Sequence, residues 1–223
     1  MSKLNLKNIT LVAMTSVLIE DTIKALCYSS KDINFGCVKL ISSLNPSLPD
    51  TITLDYIDPI TSIDEWNYNI VYNLHKYIDT EFAILIHDDG FIVNPSSWRD
   101  DFLDYDYIGA PWAHMHLLDS NGVPVRVGNS VSLRSKKLMS IPSNVGMKWQ
   151  KFDGNYNEDT QICVWNRDIF LKEDIKYANY DVAKYFSHEE YLFDFGDIKP
   201  FCFHNFGGRN QVYKNIINNF DYK

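Results

Sequence analysis

Apolar residues in the first part of this chain gather in short dense runs, separated by stretches whose apolar positions recur at helical spacing. Ile9-Thr10-Leu11-Val12-Ala13-Met14 is one such run and predicts a strand buried on both faces. Ser16 to Ser30 reads as a helix, with Val17, Ile23, Leu26 and Cys27 able to share one side. Asn34 to Ser42 returns as a strand, and Pro46 and Pro49 mark the loop that follows. Asp64 to Tyr77 predicts a second helix, its stripe formed by Trp66, Ile70, Leu74 and Tyr77. Phe82-Ala83-Ile84-Leu85-Ile86 is the clearest buried strand in the chain. Strand–helix alternation of this kind predicts an α/β fold with a mostly parallel central sheet flanked by helices. The later part is less regular, and its strands read as hairpin-like or mixed. With no internal repeat, long linker or low-complexity run, one continuous domain over residues 1–223 is expected.

Composition narrows the function. The 223 residues are enough to bury roughly 70% of the unfolded surface. The net charge of −8, from 29 acidic and 21 basic residues, argues against a nucleic-acid partner, which calls for a basic face. Aromatic residues make up 14% of the chain, which suits a core or flat faces for sugars and bases. The four cysteines, Cys27, Cys37, Cys163 and Cys202, form no metal-type pair and no disulfide framework. Residues 1–8 lack the apolar stretch of a signal peptide, and no window approaches about 18 apolar residues. A cytoplasmic protein with reduced thiols and no integral membrane segment is expected, with peripheral membrane association through a partner or surface patch left open.

Candidate chemistry begins where the strongest strand ends, because open α/β sheets bind ligands beyond the carboxyl ends of their strands. There the chain reads His87-Asp88-Asp89-Gly90-Phe91. Two carboxylates so placed suit a divalent cation that takes further oxygens from a phosphate; as turn formers they would instead cap local backbone. A second acidic pair, Glu158-Asp159, follows Asn157 and either favours a helix start electrostatically or presents Asp159 as a base for a sugar hydroxyl. His204 interrupts the apolar run Phe201-Cys202-Phe203 and precedes two glycines and Arg209. It reads as a core histidine or, near phosphate, as a metal ligand with Arg209 neutralising charge. Gly128-Asn129-Ser130 forms a polar turn ahead of Leu133-Arg134-Ser135 but lacks the P-loop ending. Neither a dinucleotide-binding glycine fingerprint nor a nucleophile elbow occurs.

In order, these blocks resemble a family of small glycosyltransferase-like proteins with a GT-A-type nucleotide-sugar fold, often described only as a domain of unknown function. The residues that carry the likeness are Asp89-Gly90-Phe91, Asn94-Pro95, Trp98-Arg99, Tyr105-Asp106-Tyr107-Ile108-Gly109-Ala110-Pro111-Trp112, Gly128-Asn129 with Ser132-Leu133-Arg134-Ser135, Glu158-Asp159 and Phe203-His204. The resemblance implies a UDP- or GDP-sugar donor whose nucleotide lies against Met14, Thr15 and Ser16, with residues 1–95 as the nucleotide-binding half. Residues 96–223 would form the acceptor and catalytic half. It implies Asp89 and His204 as ligands of Mn²⁺ or Mg²⁺, with Asp88 and Arg209 on the donor side. Glu158 and Asp159 become the catalytic pair, Asp159 as the base. Where the family has a glycine pair after Gly-Asn, this chain has Ser130-Val131 and is one residue shorter.

A glycosyltransferase must stabilise the departing diphosphate, which a bridging metal ion supplies, and an inverting one needs a base for the acceptor hydroxyl. The expected activity is metal-assisted transfer from a nucleotide sugar to a glycan, a lipid-linked or another hydroxyl acceptor. Gly128, Asn129, Trp112, Trp149 and Tyr156 are the candidate substrate contacts, the three aromatics being equally suited to a core. The rival reading is a catalytically inactive glycan-binding or scaffold domain of the same fold. A metal-dependent nucleotidyltransferase or phosphohydrolase shares the acidic strand end but calls for a richer phosphate loop.

Overall fold

The computed structural model describes residues 3–112, 117–152, 154–190, 192–208 and 210–221, with residues 193, 206 and 219 described for their backbone alone. The chain runs β1 (Leu4–Met14), α1 (Ile19–Ser30), β2 (Ile33–Ser42), β3 (Thr53–Tyr56), α2 (Ile63–Tyr72), β4 (Phe82–Leu85), β5 (Tyr107–Pro111) and β6 (Val127–Ser135). Then follow α3 (Lys136–Val145), α4 (Glu158–Thr160), α5 (Arg167–Lys172), α6 (Tyr180–Phe186), β7 (Ser187–His188), β8 (Cys202–Phe203) and α7 (Gln211–Lys214).

Six strands form the central sheet in the order β3-β2-β1-β4-β6-β5. The first four are parallel and β6 runs against both its neighbours, so the expected mostly parallel sheet and the mixed character of the later strands are both observed. Successive strand side chains point to opposite faces, and β1 therefore feeds two cores. Ile9, Leu11 and Ala13 join one with α1, while Val12 and Met14 join the other with α2 and α3. β4 divides in the same way, Ile84 and Ile86 to the first core and Ala83 and Leu85 to the second. Burial on both faces explains the unbroken apolar runs.

Two helix boundaries differ from the pattern. Helix α1 starts at Ile19 rather than Ser16. The Thr15 hydroxyl donates to Val17 O at 2.6 Å and accepts from Val17 N at 3.0 Å, holding a turn that ends at Leu18 with φ +49°. The predicted Asp64–Tyr77 helix is split at Asn73, after which Leu74–Tyr77 tightens into a 3₁₀ turn. Asn73 Nδ2 donates to Asn69 Oδ1 and its Oδ1 accepts from Lys76 Nζ, polar side-chain bonds that compete with a continuing helix. At the other end of α2, Ser62 accepts from Glu65 N while Glu65 reaches back to Thr61, a reciprocal cap. No helix among the described residues is long and apolar enough to cross a membrane.

Candidate functional site

Order in the sheet reverses between β1 and β4: β2 and β3 lie on one side of β1, β4 and its followers on the other. Crevices form at such switch points, outside the carboxyl ends of the strands. A cavity of about 720 Å³ opens there, within the size range of small-molecule sites. Its walls include Met14, Thr15 and Ser16 after β1, His87, Asp88 and Asp89 after β4, Glu158 and Asp159 of α4, Trp112, and His204 after β8. Nine of the residues singled out in the sequence thus line one space: Met14, Thr15, Ser16, Asp88, Asp89, Trp112, Glu158, Asp159 and His204.

The β1 end is braced from α2. Trp66 Nε1 donates to Met14 O at 2.7 Å, and Ser16 Oγ accepts from Ile60 N and Ser43 Oγ, both at 3.0 Å. The β4 end is a tight turn in which His87 N donates to Gly90 O at 2.7 Å. A Cβ on Gly90 would stand 2.5 Å from Val131 Cγ2, 2.9 Å from His204 Cδ2 and 3.0 Å from Phe203 O. Only glycine lets β8 come this close, and the close approach is what brings His204 to Asp89. Phe203 N donates to Phe91 O and Asn205 N to Asp89 O, which ties the late segment to the acidic turn.

His204 is nearly buried, with Nε2 3.6 Å from Asp89 Oδ1 and Nδ1 3.6 Å from Glu189 Oε1 and 3.2 Å from Asn129 Nδ2. Burial opposes charge on this imidazole, but Glu189, Asp89 and Asp159 outweigh it and its pKa is raised. His87 behaves oppositely: burial, His204 and Arg134 hold it well below the ordinary value, so it is neutral. Asp88 is shared with Lys214, whose Nζ donates to its carbonyl at 2.6 Å and stands 3.2 Å from Oδ2. Burial and Asp89 nevertheless raise its pKa, against the pull of Lys214.

Glu158 and Asp159 are adjacent but differ in environment. Glu158 Oε2 accepts from Arg134 Nη2 at 2.7 Å, and both side chains are almost wholly buried. Asp159 forms no ion pair among the described residues; its Oδ1 accepts from Thr160 N at 2.7 Å. Burial first, then the charges of Glu158 and Glu189, push its pKa up to about 7.

Four sequence candidates stand outside the cavity lining. Gly128 faces Trp112, whose ring would lie 2.0 Å from a Cβ there, so this glycine serves packing. Asn129, at φ +113°, turns inward to His204 and caps Val131 N. Trp149 stacks on Tyr156 at 4.8 Å and meets Tyr68 and Tyr72 edge-on, an aromatic cluster against α2. Arg209 lies outside the described residues. Conversely, Ile60–Ile63, Trp66, Asn67, Glu189 and Glu190 line the cavity without having been singled out as site residues, and Ser130, noted only as part of its loop, lines it too. Glu189 follows a two-residue strand that has no readable pattern, and Trp66 was legible only as part of a helical stripe.

The family model described as "Protein of unknown function (DUF5672)" matches residues 60–204, well over half of the chain. No curated protein sequence matches. The apo-form glycosyltransferase GlyE of Streptococcus pneumoniae TIGR4 is similar in structure, with a TM-score of 0.54 and 11% identity over 95% of this chain and 60% of GlyE. S. aureus TarS 1-349 in complex with UDP-GlcNAc gives 0.40 and 10% over 70% of this chain and 53% of that one. The chain therefore has a glycosyltransferase-like fold and spans 60% of the length of the GlyE chain it matches.

Proposed function

The chain belongs to the DUF5672 family, and we propose that it is a metal-assisted glycosyltransferase acting on a nucleotide-sugar donor and a glycan, lipid-linked or other hydroxyl acceptor. The observation that carries this reading is the convergence of the β1 end, the β4 acidic turn and Asp159 on one cavity at the sheet's switch point. The fold shared with GlyE supports it. Residues 1–95 supply the nucleotide side, where Met14, Thr15 and Ser16 present backbone and hydroxyl groups to a UDP or GDP moiety. Residues 96–223 supply Asp159, His204 and Trp112, the aromatic candidate that lines the cavity.

Among the described residues no three His, Cys, Asp or Glu side chains are arranged to hold an ion by themselves. Asp89 and His204 nonetheless fit a Mn²⁺ or Mg²⁺ ion shared with a diphosphate, since such ions take one or two protein ligands plus phosphate oxygens. His204 also shows the arrangement expected of a ligating imidazole, with Nδ1 facing Glu189 and Asn129 and Nε2 facing Asp89. When bound, the ion would offset the charge of the departing diphosphate.

Asp159 accepts the acceptor's hydroxyl proton as the oxygen bonds to the anomeric carbon. The carbon–oxygen bond to the diphosphate breaks and its electron pair leaves with that group; this is the base's role if the anomeric centre inverts. A carboxyl titrating near 7 is well matched to this task at neutral pH. The acidic walls, with Asp88 already paired to Lys214, fit a donor that brings its own cation.

The test is a thermal-shift panel of nucleoside diphosphates with and without Mn²⁺. Stabilisation by UDP or GDP that needs the metal and disappears in Asp89→Ala is expected. Asp159→Asn should abolish transfer with nucleotide binding intact. Response to glycans with none to nucleotides would overturn the enzyme reading in favour of a binding module.

A further inference from the structure

Arg134 is 1% exposed and Glu158 2%, and the pair stands immediately behind the cavity wall. Arg134 Nε donates to Ser132 Oγ at 2.8 Å and Nη2 to Glu158 Oε2 at 2.7 Å. The guanidinium lies 5.7 Å from the Tyr107 ring centroid, and that phenol donates to Asn129 O at 2.6 Å. The Glu158 backbone is held as well, its N–H donating to Asn67 Oδ1 at 3.1 Å. Glu158 is thus fixed at its main chain and at one carboxylate oxygen. The other oxygen, Oε1, is buried without a partner, as is Arg134 Nη1, although Glu158 lines the cavity.

A buried unsatisfied carboxylate oxygen is rare and calls for an explanation. A ligand that completes it must donate a hydrogen bond. Arg134 already neutralises the Glu158 charge, so the pair as a whole calls for a neutral donor rather than an ammonium or a metal ion. A hydroxyl meets that need and offers lone pairs in return. Burial raises the Glu158 pKa against the pull of Arg134, but with Oε2 held by the guanidinium the carboxylate is placed to hold a ligand rather than to turn toward a reacting hydroxyl. We propose that Glu158, locked by Arg134, is a specificity subsite that accepts a hydrogen bond from a sugar hydroxyl, and is not the reaction's base. This rests on the glycosyltransferase reading for the identity of the hydroxyl, which belongs either to the transferred sugar or to the acceptor.

Glu158→Gln tests it. The amide oxygen takes over the Arg134 contact and leaves an NH₂ donor where an acceptor stood. Binding of UDP and GDP with Mn²⁺ should stay within about twofold of the parent. If the donor sugar supplies the hydroxyl, the matching one of UDP-glucose, UDP-GlcNAc and GDP-mannose should bind about 10- to 100-fold more weakly, the value of a hydrogen bond to a charged group. If the acceptor supplies it, donor binding should persist and the acceptor KM should rise by a similar factor. Either result supports the subsite. A folded Glu158→Gln protein with donor affinity and acceptor KM both within twofold of the parent overturns it.

Should that variant fail to fold, Arg134→Lys keeps the charge but removes the fork. The same loss of sugar-dependent affinity is expected, and unchanged affinity overturns the proposal. A parent that binds no nucleotide refutes the glycosyltransferase reading separately. The subsite then stands on binding of glucose, GlcNAc or mannose that Glu158→Gln abolishes, and falls if the parent binds none of them.

Discussion

Replacing Asp159 by Asn should abolish transfer and, above neutral pH, make the protein more stable. The carboxyl titrates near 7 in the fold against an ordinary 3.8, with burial the largest cause and the Glu158 and Glu189 charges next. A folded-state pKa above the unfolded one means that the folded protein binds the proton more tightly. Stability is therefore greatest below about pH 4 and is lost as pH rises toward 7. A difference of about 3 pH units corresponds to about 4 kcal/mol at 1.36 kcal/mol per unit. Asp159 keeps part of its surface open to the cavity, and solvent screening reduces the expected value to about 1–3 kcal/mol.

Asn is isosteric and carries no charge, so Asp159→Asn escapes that destabilisation. At pH 8 the variant should melt roughly 2–12 °C above the parent, using about 2–4 °C per kcal/mol for a chain of this size. At pH 4.5 the two should nearly coincide. Scanning calorimetry from pH 4.5 to 8.5 reads the gap directly. A gap independent of pH, or a variant less stable than the parent at pH 8, would refute the account of this carboxyl as a strained, half-buried acid. The parent's kcat/KM should meanwhile fall below an apparent pKa near 7, as expected for a base that must be ionised.

Glu158→Gln removes one of the two charges that raise the Asp159 pKa, so the acid limb of the rate profile should move to lower pH in that variant; an unmoved limb would separate the two carboxyls electrostatically. Gly90→Ala places a methyl group 2.5 Å from Val131 Cγ2 and 2.9 Å from His204 Cδ2. It should cost about 1–3 kcal/mol by overpacking and abolish the Mn²⁺-dependent part of the nucleotide thermal shift. Lys214→Ala frees Asp88 from its 3.2 Å partner, and the Asp88 pKa, already raised by burial and Asp89, should rise further. An NMR titration of that carboxyl checks the direction, and a loss of about 1 kcal/mol or less is expected in urea unfolding.

The parts of this site that were legible in the sequence are those whose chemistry is local. The runs at Ile9–Met14 and Phe82–Ile86 show strands buried on both faces, and the rule for open sheets then directs attention to whatever follows them, Thr15-Ser16 and His87-Asp88-Asp89. Asp159 and His204 stood out as an acidic pair and as a histidine breaking an apolar run, each open to a bland reading, and only the order of blocks gave them roles; periodicity could not, because α4 has three residues and β8 two. What stayed hidden is set by packing between distant segments. Trp149 and Tyr156, close in sequence to the acidic pair, satisfy each other by stacking and leave the cavity, whereas Trp66 enters it because Met14 O is available to its indole N–H.

The Gly128 segment shows the same division from the other side. Gly128 is required by the Trp112 ring and Asn129 by His204, so these two residues shape the wall rather than line it. Ser130 does line the cavity. Its carbonyl accepts from Ser132 Oγ at 2.8 Å, and Ser132 Oγ in turn accepts from Arg134 Nε. The loop's main chain at Ser130 thus heads a chain of contacts that runs through Ser132 and Arg134 to Glu158, so the position of that carboxylate depends on the backbone course of the loop and not on the side chain at 130.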